Sequence, residues 1–173
     1  VDTYELAHKL ATTTLYLYDT PWLPNTWRLN SITALRRDEP FEVIENLSIA
    51  MQLSADMNPT AILHQQDIDN YFDAGVQNAT LFNLGVALLE IEHGFSLETF
   101  TARRNLEGRR DFEVARRMAA EPDTLAGRRY RVLARKCFGC TFDCDEFDLA
   151  REDLQHAVYG GVVYKLRQLA DES

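Results

Sequence analysis

From Thr3 to Tyr18 the apolar positions recur at helical spacing, with Leu6, Leu10, Thr13 or Thr14 and Leu17 on one face. Pro21 and Pro24 end this run, because proline lacks an amide hydrogen and clashes with the preceding turn. They bound an aromatic loop, Pro21-Trp22-Leu23-Pro24-Asn25-Thr26-Trp27. Ser31 to Leu35 predicts a short strand and Arg36 to Pro40 a charged turn. Phe41 to Ala55 is a second helical candidate, and after Asn58-Pro59 a short helix is expected over Gln65 to Phe72.

The clearest element spans residues 79–93. Leu81, Leu84, Leu88 and Ile91 recur at intervals of three and four, while Phe82, Val86 and Leu89 extend the apolar surface nearly all round. A helix that is apolar on every side belongs inside a protein. Asn78 or Thr80 can cap it through a side-chain oxygen, and Gly94 is placed to stop it. Further helices are predicted at Phe112 to Ala120, Thr124 to Phe138, Asp145 to His156 and Ala157 to Leu169, with Gly160-Gly161 weakening the last. The fold class expected is mainly α: one helical domain over residues 1–173, with at most a short β-hairpin in the 28–45 region.

Composition narrows the class of partner. No apolar run approaches the roughly 20 residues of a membrane span, and Gly85 and Glu90 interrupt the longest one. No membrane association is expected. The 27 acidic residues outnumber the 18 basic ones, giving a net charge of -9 that disfavours nucleic acid, whose phosphates call for a concentrated positive face. Arg103-Arg104, Arg109-Arg110, Arg116-Arg117 and the segment Arg128 to Lys136 are read as solvated helix faces that could form a local patch. Three cysteines, an odd number, argue against a secreted disulfide framework and for a reducing, cytoplasmic location. A start on Val1, with Asp2 and Glu5 close behind, is unlike a signal peptide and is compatible with the C-terminal part of a longer protein.

Candidate chemistry is sparse. Cys137, Cys140 and Cys144 have a spacing that can chelate zinc, with His156 as a conceivable fourth ligand, although Cys137 near the end of an apolar helix equally reads as a core residue. The other histidines, His8, His64 and His93, share no metalloprotease spacing, and His93 is read as a protonated group at a helix C-terminus. No G-x-S-x-G is present. Asp143, Asp145, Glu146 and Asp148 lack the central glycine of a calcium loop. Trp22 and Trp27 beside prolines are the candidates for anchoring a protein partner, against the alternative that both rings fold back onto the helices.

Two segments together resemble the helical lobe of a protein kinase. Thr80-Leu81-Phe82-Asn83-Leu84-Gly85-Val86-Ala87-Leu88-Leu89-Glu90-Ile91, closing at Gly94, is similar to the kinase central helix, D-x-W-S-L-G-V-x-L-x-E-L. Tyr16-Leu17-Tyr18 through Ser31-Ile32 aligns without gaps on Y-L-H followed by H-R-D-L-K-P-x-N-I, and Ala134-Arg135-Lys136-Cys137 is a weaker echo of A-x-K-C-L. The combination of Pro21-Trp22-Leu23, Trp27 and the Leu81–Glu90 motif also resembles an uncharacterised domain family of filamentous fungi, whose members often end longer proteins.

The departures carry the functional implication. On this alignment Pro24, Asn25 and Thr26 replace H-R-D, so the residue that would accept a substrate proton is a threonine. Arg28 stands for the catalytic lysine, Ser31 for the magnesium-holding asparagine, and Thr80 for the aspartate that opens the helix. No D-F-G occurs between Ser31 and Asn78, and the nucleotide-binding small lobe has no counterpart. The resemblance implies a non-catalytic, pseudokinase-like domain with no catalytic residues and no cofactor, acting through a protein partner. The alternatives are a small zinc-stabilised module, or an enzyme of unidentified type with His64, Asp67, Asp69 and Tyr71 around its pocket.

Overall fold

The computed structural model describes residues 3–20, 23, 27–29, 33–34, 47–48, 75–121 and 126–173. Within them the protein is mainly helical. The first helix, α1 (Thr3–Leu17), is followed by two short strands, β1 (Thr33–Ala34) and β2 (Leu47–Ser48), which pair antiparallel with Thr33 opposite Ser48 and Ala34 opposite Leu47. The chain then forms α2 (Ala79–His93), α3 (Leu97–Arg103), α4 (Asp111–Met118), α5 (Gly127–Phe138), α6 (Glu152–Val158), a π-helical turn (Tyr159–Val163) and α7 (Tyr164–Glu172).

Helix α2 runs through the middle with the bounds its apolar pattern predicts. Every residue from Thr80 to Glu90 is buried. Asn78 is the N-cap, its Oδ1 accepting the Leu81 amide at 2.9 Å, so Thr80 is left to the first turn. Gly94 closes the helix at φ 71°, a left-handed conformation that glycine adopts without a steric cost, and its amide returns to the Glu90 carbonyl at 2.9 Å.

Helix α5 packs most extensively against α2. Its apolar face, with Tyr130, Leu133, Ala134, Cys137 and Phe138 buried, meets α2 at Gly85. The Tyr130 hydroxyl, fully buried, donates to the Leu88 carbonyl at 2.9 Å. On its other flank Arg131 and Arg135 donate to the carbonyls of Glu121 and Ala119, which ties the end of α4 to α5. Arg131 Nε also stands 3.7 Å from the buried Glu92 carboxylate.

Helix α1 lies between α2 and α7. Its buried stripe is Ala7, Leu10, Ala11 and Thr14, rotated from the Leu6–Leu17 face suggested by side-chain size, and Leu6 and Leu17 are only half-buried. Two alanines let the helix backbones approach, and the Thr14 hydroxyl is satisfied by the Leu10 carbonyl at 2.9 Å.

Three expectations are corrected, and one element was not foreseen. The helix predicted over Phe41 to Ala55 is broken at Leu47–Ser48, which is a strand, so the hairpin draws its second strand from beyond the 28–45 region. The helix expected from Asp145 begins at Glu152, because Glu146 Oε1 accepts the amides of Phe147 and Asp148, and Asp148 Oδ1 accepts that of Ala150. Those local bonds compete with a helical ladder. The separate helices expected on either side of residue 156 are one run, α6 passing into α7 through the π turn at Gly160-Gly161. A short helix not foreseen, α3, is capped by the Ser96 hydroxyl, which accepts the Thr99 amide at 3.2 Å. The helix expected over Gln65 to Phe72 lies outside the described residues.

Candidate functional site

The short stretch Trp27-Arg28-Leu29 lies where the resemblance would put a catalytic loop, against the central helix. Trp27 is 2% exposed and belongs to the core, so burial takes it out of the role of surface anchor. Its indole Nε1 is buried without a hydrogen-bond partner among the described residues. Trp22 lies outside the described residues, as do Pro24, Asn25, Thr26 and Ser31.

Arg28 is the charged group of this stretch, and two helices, α2 and α4, converge on it. Its guanidinium donates to Oδ1 of the buried Asn83 in α2 and, through Nη2, to Asp111 Oδ2 at 2.7 Å, at the start of α4. The same group stands 5.9 Å from the centre of the Phe82 ring. The planar fork of arginine suits two acceptors on different helices better than an ammonium would. Asp111 also sits in the first turn of α4, where a negative charge complements the helix dipole.

Beside Arg28 opens a cavity of about 430 Å³ lined in part by Leu6, Leu29, Glu90, Ile91, Phe95 and Glu98. Glu90 is the buried acid at its base. Its Oε1 accepts the Leu97 amide at 2.8 Å, which satisfies one of the open donors at the start of α3. Burial pushes the Glu90 carboxyl above its ordinary range; the Leu97 hydrogen bond opposes this, Glu98 adds to it, and Arg28 counters it. Both charged groups lining this cavity make structural contacts: Arg28 joins the loop to α2 and α4, and Glu90 joins α2 to α3. Neither Asn83 nor Asp111 was picked out from sequence, since their role depends on contacts 55 and 83 residues away. Glu90 did leave a signal, as the acid that interrupts an otherwise apolar helix.

The cysteine segment does not assemble as a ligand set. Cys137 is fully buried in α5, where burial pushes its thiol far up, and Cys140 is pushed up to about 11 for the same reason. Zinc takes the thiolate, which both sites disfavour. Cys144 is half-buried with Sγ 3.8 Å from the Glu146 carbonyl, and His156 is exposed on α6. Among the described residues no group of three or more His, Cys, Asp or Glu is placed to hold a metal ion. Among them, too, no helix is long and apolar enough to cross a membrane.

His93 ends α2, as expected, but not as a protonated cap. Burial lowers its imidazole below the ordinary value; a hydrogen bond to the Met118 backbone and the charge of Glu121 oppose the shift, while Arg131 reinforces it. The ring packs against Phe95 and Phe100, and its Nε2 is buried with no partner among the described residues. The cluster of His64, Asp67, Asp69 and Tyr71 lies outside the described residues.

A family profile described as a domain of unknown function, DUF7580, matches residues 2–173, and the chain belongs to that family. No curated protein matches the chain. Nor does any solved structure.

Proposed function

We propose that this chain is a non-catalytic protein-interaction or regulatory domain, built like the helical lobe of a kinase and emptied of its chemistry. The observation that carries this reading is the engagement of Arg28. The one charged side chain described in the catalytic-loop-like stretch spends its donors on Asn83 and Asp111, within the fold. Glu90, a buried acid lining the adjacent cavity, accepts the Leu97 amide through Oε1. A general base needs a free lone pair within reach of a substrate proton, and phosphoryl transfer needs groups that hold magnesium and the phosphates. The Arg28 guanidinium and one Glu90 oxygen are engaged within the fold instead, which supports the non-catalytic reading.

The surface supports interaction. Tyr16 is 81% exposed and Tyr159 57% exposed, and both border a shallow groove of about 290 Å³ beside Thr12, Leu15 and His156. Tyrosines of this kind supply contact area at low entropic cost and are enriched where proteins meet.

The test is calorimetric titration with ATP and magnesium, followed by a phosphoryl-transfer assay on a generic protein substrate. No saturable heat and no transfer is the expected result. Binding followed by transfer would overturn the proposal and point to an enzyme.

A further inference from the structure

A second groove, of about 660 Å³, runs between α5 and the chain's final helical segment. Its walls follow from helical spacing. Arg128, Val132 and Lys136 stand at intervals of four on one face of α5, and Gly161, Lys165, Gln168 and Glu172 recur at four, three and four on the facing element. Arg129 and Glu172 form an ion pair of 3.0 Å that closes one end, so α5 and α7 run in opposite directions along the groove. At the other end Gly161 has no side chain to fill the space, and its nearest neighbour is the Phe142 ring.

The charges in this groove oppose those of the whole molecule. The protein carries a net charge of -9, yet the groove gathers Arg128, Arg129, Lys136 and Lys165 against the single carboxylate of Glu172. That carboxylate is already paired with Arg129. Among the described residues Arg128, Lys136 and Lys165 have no carboxylate within ion-pair distance. Between the cations the floor is apolar: Val132 is 44% exposed, with Leu133 and Leu169 beside it. Val132 thus offers one apolar contact flanked by cations.

The geometry points to an acidic amphipathic helix of a partner protein as the occupant. This rests on the interaction-domain reading and names the partner's chemistry. Arg128 and Lys136 are eight residues apart, so they stand about 12 Å apart along the helix axis, with Val132 midway. The complement is a helix presenting two carboxylates eight residues apart with one apolar side chain between them. A single phosphate cannot bridge Arg128 and Lys136, about 12 Å apart along the axis. A nucleic acid would present charge without the apolar contact that Val132 offers. Opposite charge across the groove would speed encounter, and the Val132 contact would hold the complex.

The test uses the full chain and a fluorescein-labelled, alanine-based helical peptide of 20 residues, with two glutamates eight apart and a leucine midway, read by anisotropy. Saturable binding is expected, falling at least tenfold in the K136E/K165E variant and in the peptide with glutamine for glutamate. Val132→Glu is a second variant with the same expected loss, and circular dichroism shows that each variant keeps its helices. Absence of saturable binding overturns the assignment, as does binding that ignores the charge reversals. So does equal or tighter binding of a 12-nucleotide oligonucleotide or of phosphatidylserine vesicles, which would make the groove a general polyanion site. Self-association by sedimentation that is lost in K136E/K165E would replace the partner with a second copy and also overturn it. The phosphoryl-transfer assay on the same preparation separates the two claims. Failed peptide binding without transfer removes the groove assignment alone, whereas transfer removes the non-catalytic reading whatever the peptide does.

Discussion

Gly85 in α2 and Phe138 in α5 are in backbone contact: a methyl group on Gly85 would lie 2.5 Å from the Phe138 nitrogen and 2.9 Å from the Ala134 carbonyl oxygen. The atoms in the way belong to a helix backbone, which cannot rotate aside as a side chain can. This contact sets how closely the two helices that organise the core approach each other.

Gly85→Ala is therefore expected to destabilise the protein although alanine is the better helix former. Helix propensity alone would favour alanine by about 1 kcal/mol, and overpacking against backbone costs typically about 1–3 kcal/mol. The clash is against backbone and close, so the second effect wins, with a net loss of up to about 2 kcal/mol. Gly160→Ala is the control, since nothing lies within 4 Å of its added methyl. It should leave the urea midpoint unchanged or raise it. Urea unfolding of both variants checks the pair, and a G85A midpoint equal to that of the unmodified chain would disprove the close approach.

The Arg28 strut makes a second prediction. Removing a charged donor from a buried carbonyl oxygen costs about 1–3 kcal/mol, so Arg28→Ala should lose about that much. Asp111 is half exposed, and its share of the stability is expected to be below 1 kcal/mol. Asn83→Ala should be less costly once Arg28 is already alanine, because the two share one interaction. A double-mutant cycle measured by denaturant unfolding gives the coupling, expected at about 1 kcal/mol or more for Arg28 with Asn83. A coupling near zero would remove Arg28 as the link between loop and central helix. Arg28→Lys should recover only part of the loss, since an ammonium cannot hold two acceptors in the fork geometry.

How far these features could be read from sequence follows from their range. Helix α2 was legible in its bounds, because its stop at Gly94 and its all-round apolar pattern are local and agree, while the choice of Asn78 over Thr80 as cap came from the structure. The mainly helical class came with it. The strand at Leu47–Ser48 was not, since pairing with Thr33–Ala34 is a contact across the chain and overrides a weak helical pattern. The delayed start of α6 was missed because Glu146 and Asp148 bond their neighbours' amides, a competition that periodicity does not register. Trp27 was legible in both directions, as anchor or as core, and burial decides for the core. The Arg28–Asn83–Asp111 contact was invisible, for no spacing rule joins residues that distant. The basic groove was half visible: Arg128 to Lys136 stood out as a charged stretch, but Lys165, which faces it, is isolated in sequence.

Stability should fall on mild acidification through His93 and His8. Burial lowers both imidazoles, so in each the unfolded chain binds a proton more readily than the folded one. Their contribution is present above the ordinary imidazole value near 6.5 and is lost as pH falls below it toward the folded value. Glu90 acts in the opposite sense. Its carboxyl is raised by burial, so its contribution is greatest below the ordinary value near 4.5 and declines as pH rises through the folded value. His93→Gln is expected to flatten the melting temperature between pH 5 and about 6.5, the window in which an imidazole titrates. Glu90→Gln, which keeps an oxygen for the Leu97 amide and sheds the charge, should match or exceed the parent stability at pH 7, whereas Glu90→Ala should lose about 1–2 kcal/mol. A melting temperature in His93→Gln that drops on acidification as steeply as the parent's would assign the pH response to other groups.

The three thiols should differ in reactivity in the order their burial dictates. The attacking species is the thiolate, so a thiol pushed up by desolvation is both shielded and chemically quiet. Cys137 is fully buried among the side chains of α5 and α2, and Cys140 is 5% exposed with its thiol raised to about 11. Cys144 is only half-buried. Iodoacetamide at neutral pH is expected to label Cys144 first, Cys140 slowly, and Cys137 only once the chain unfolds, as resolved by peptide mass mapping. Cys137→Ser should cost about 1–3 kcal/mol, because it places a hydroxyl in the core with no assigned acceptor, while Cys144→Ser should be within about 0.5 kcal/mol of the parent. Adding zinc should slow none of these reactions, since the thiols do not share a coordination sphere in the fold. Protection of Cys140 and Cys144 together by stoichiometric zinc would instead show that the segment rearranges to bind metal, and would restore the zinc-stabilised alternative.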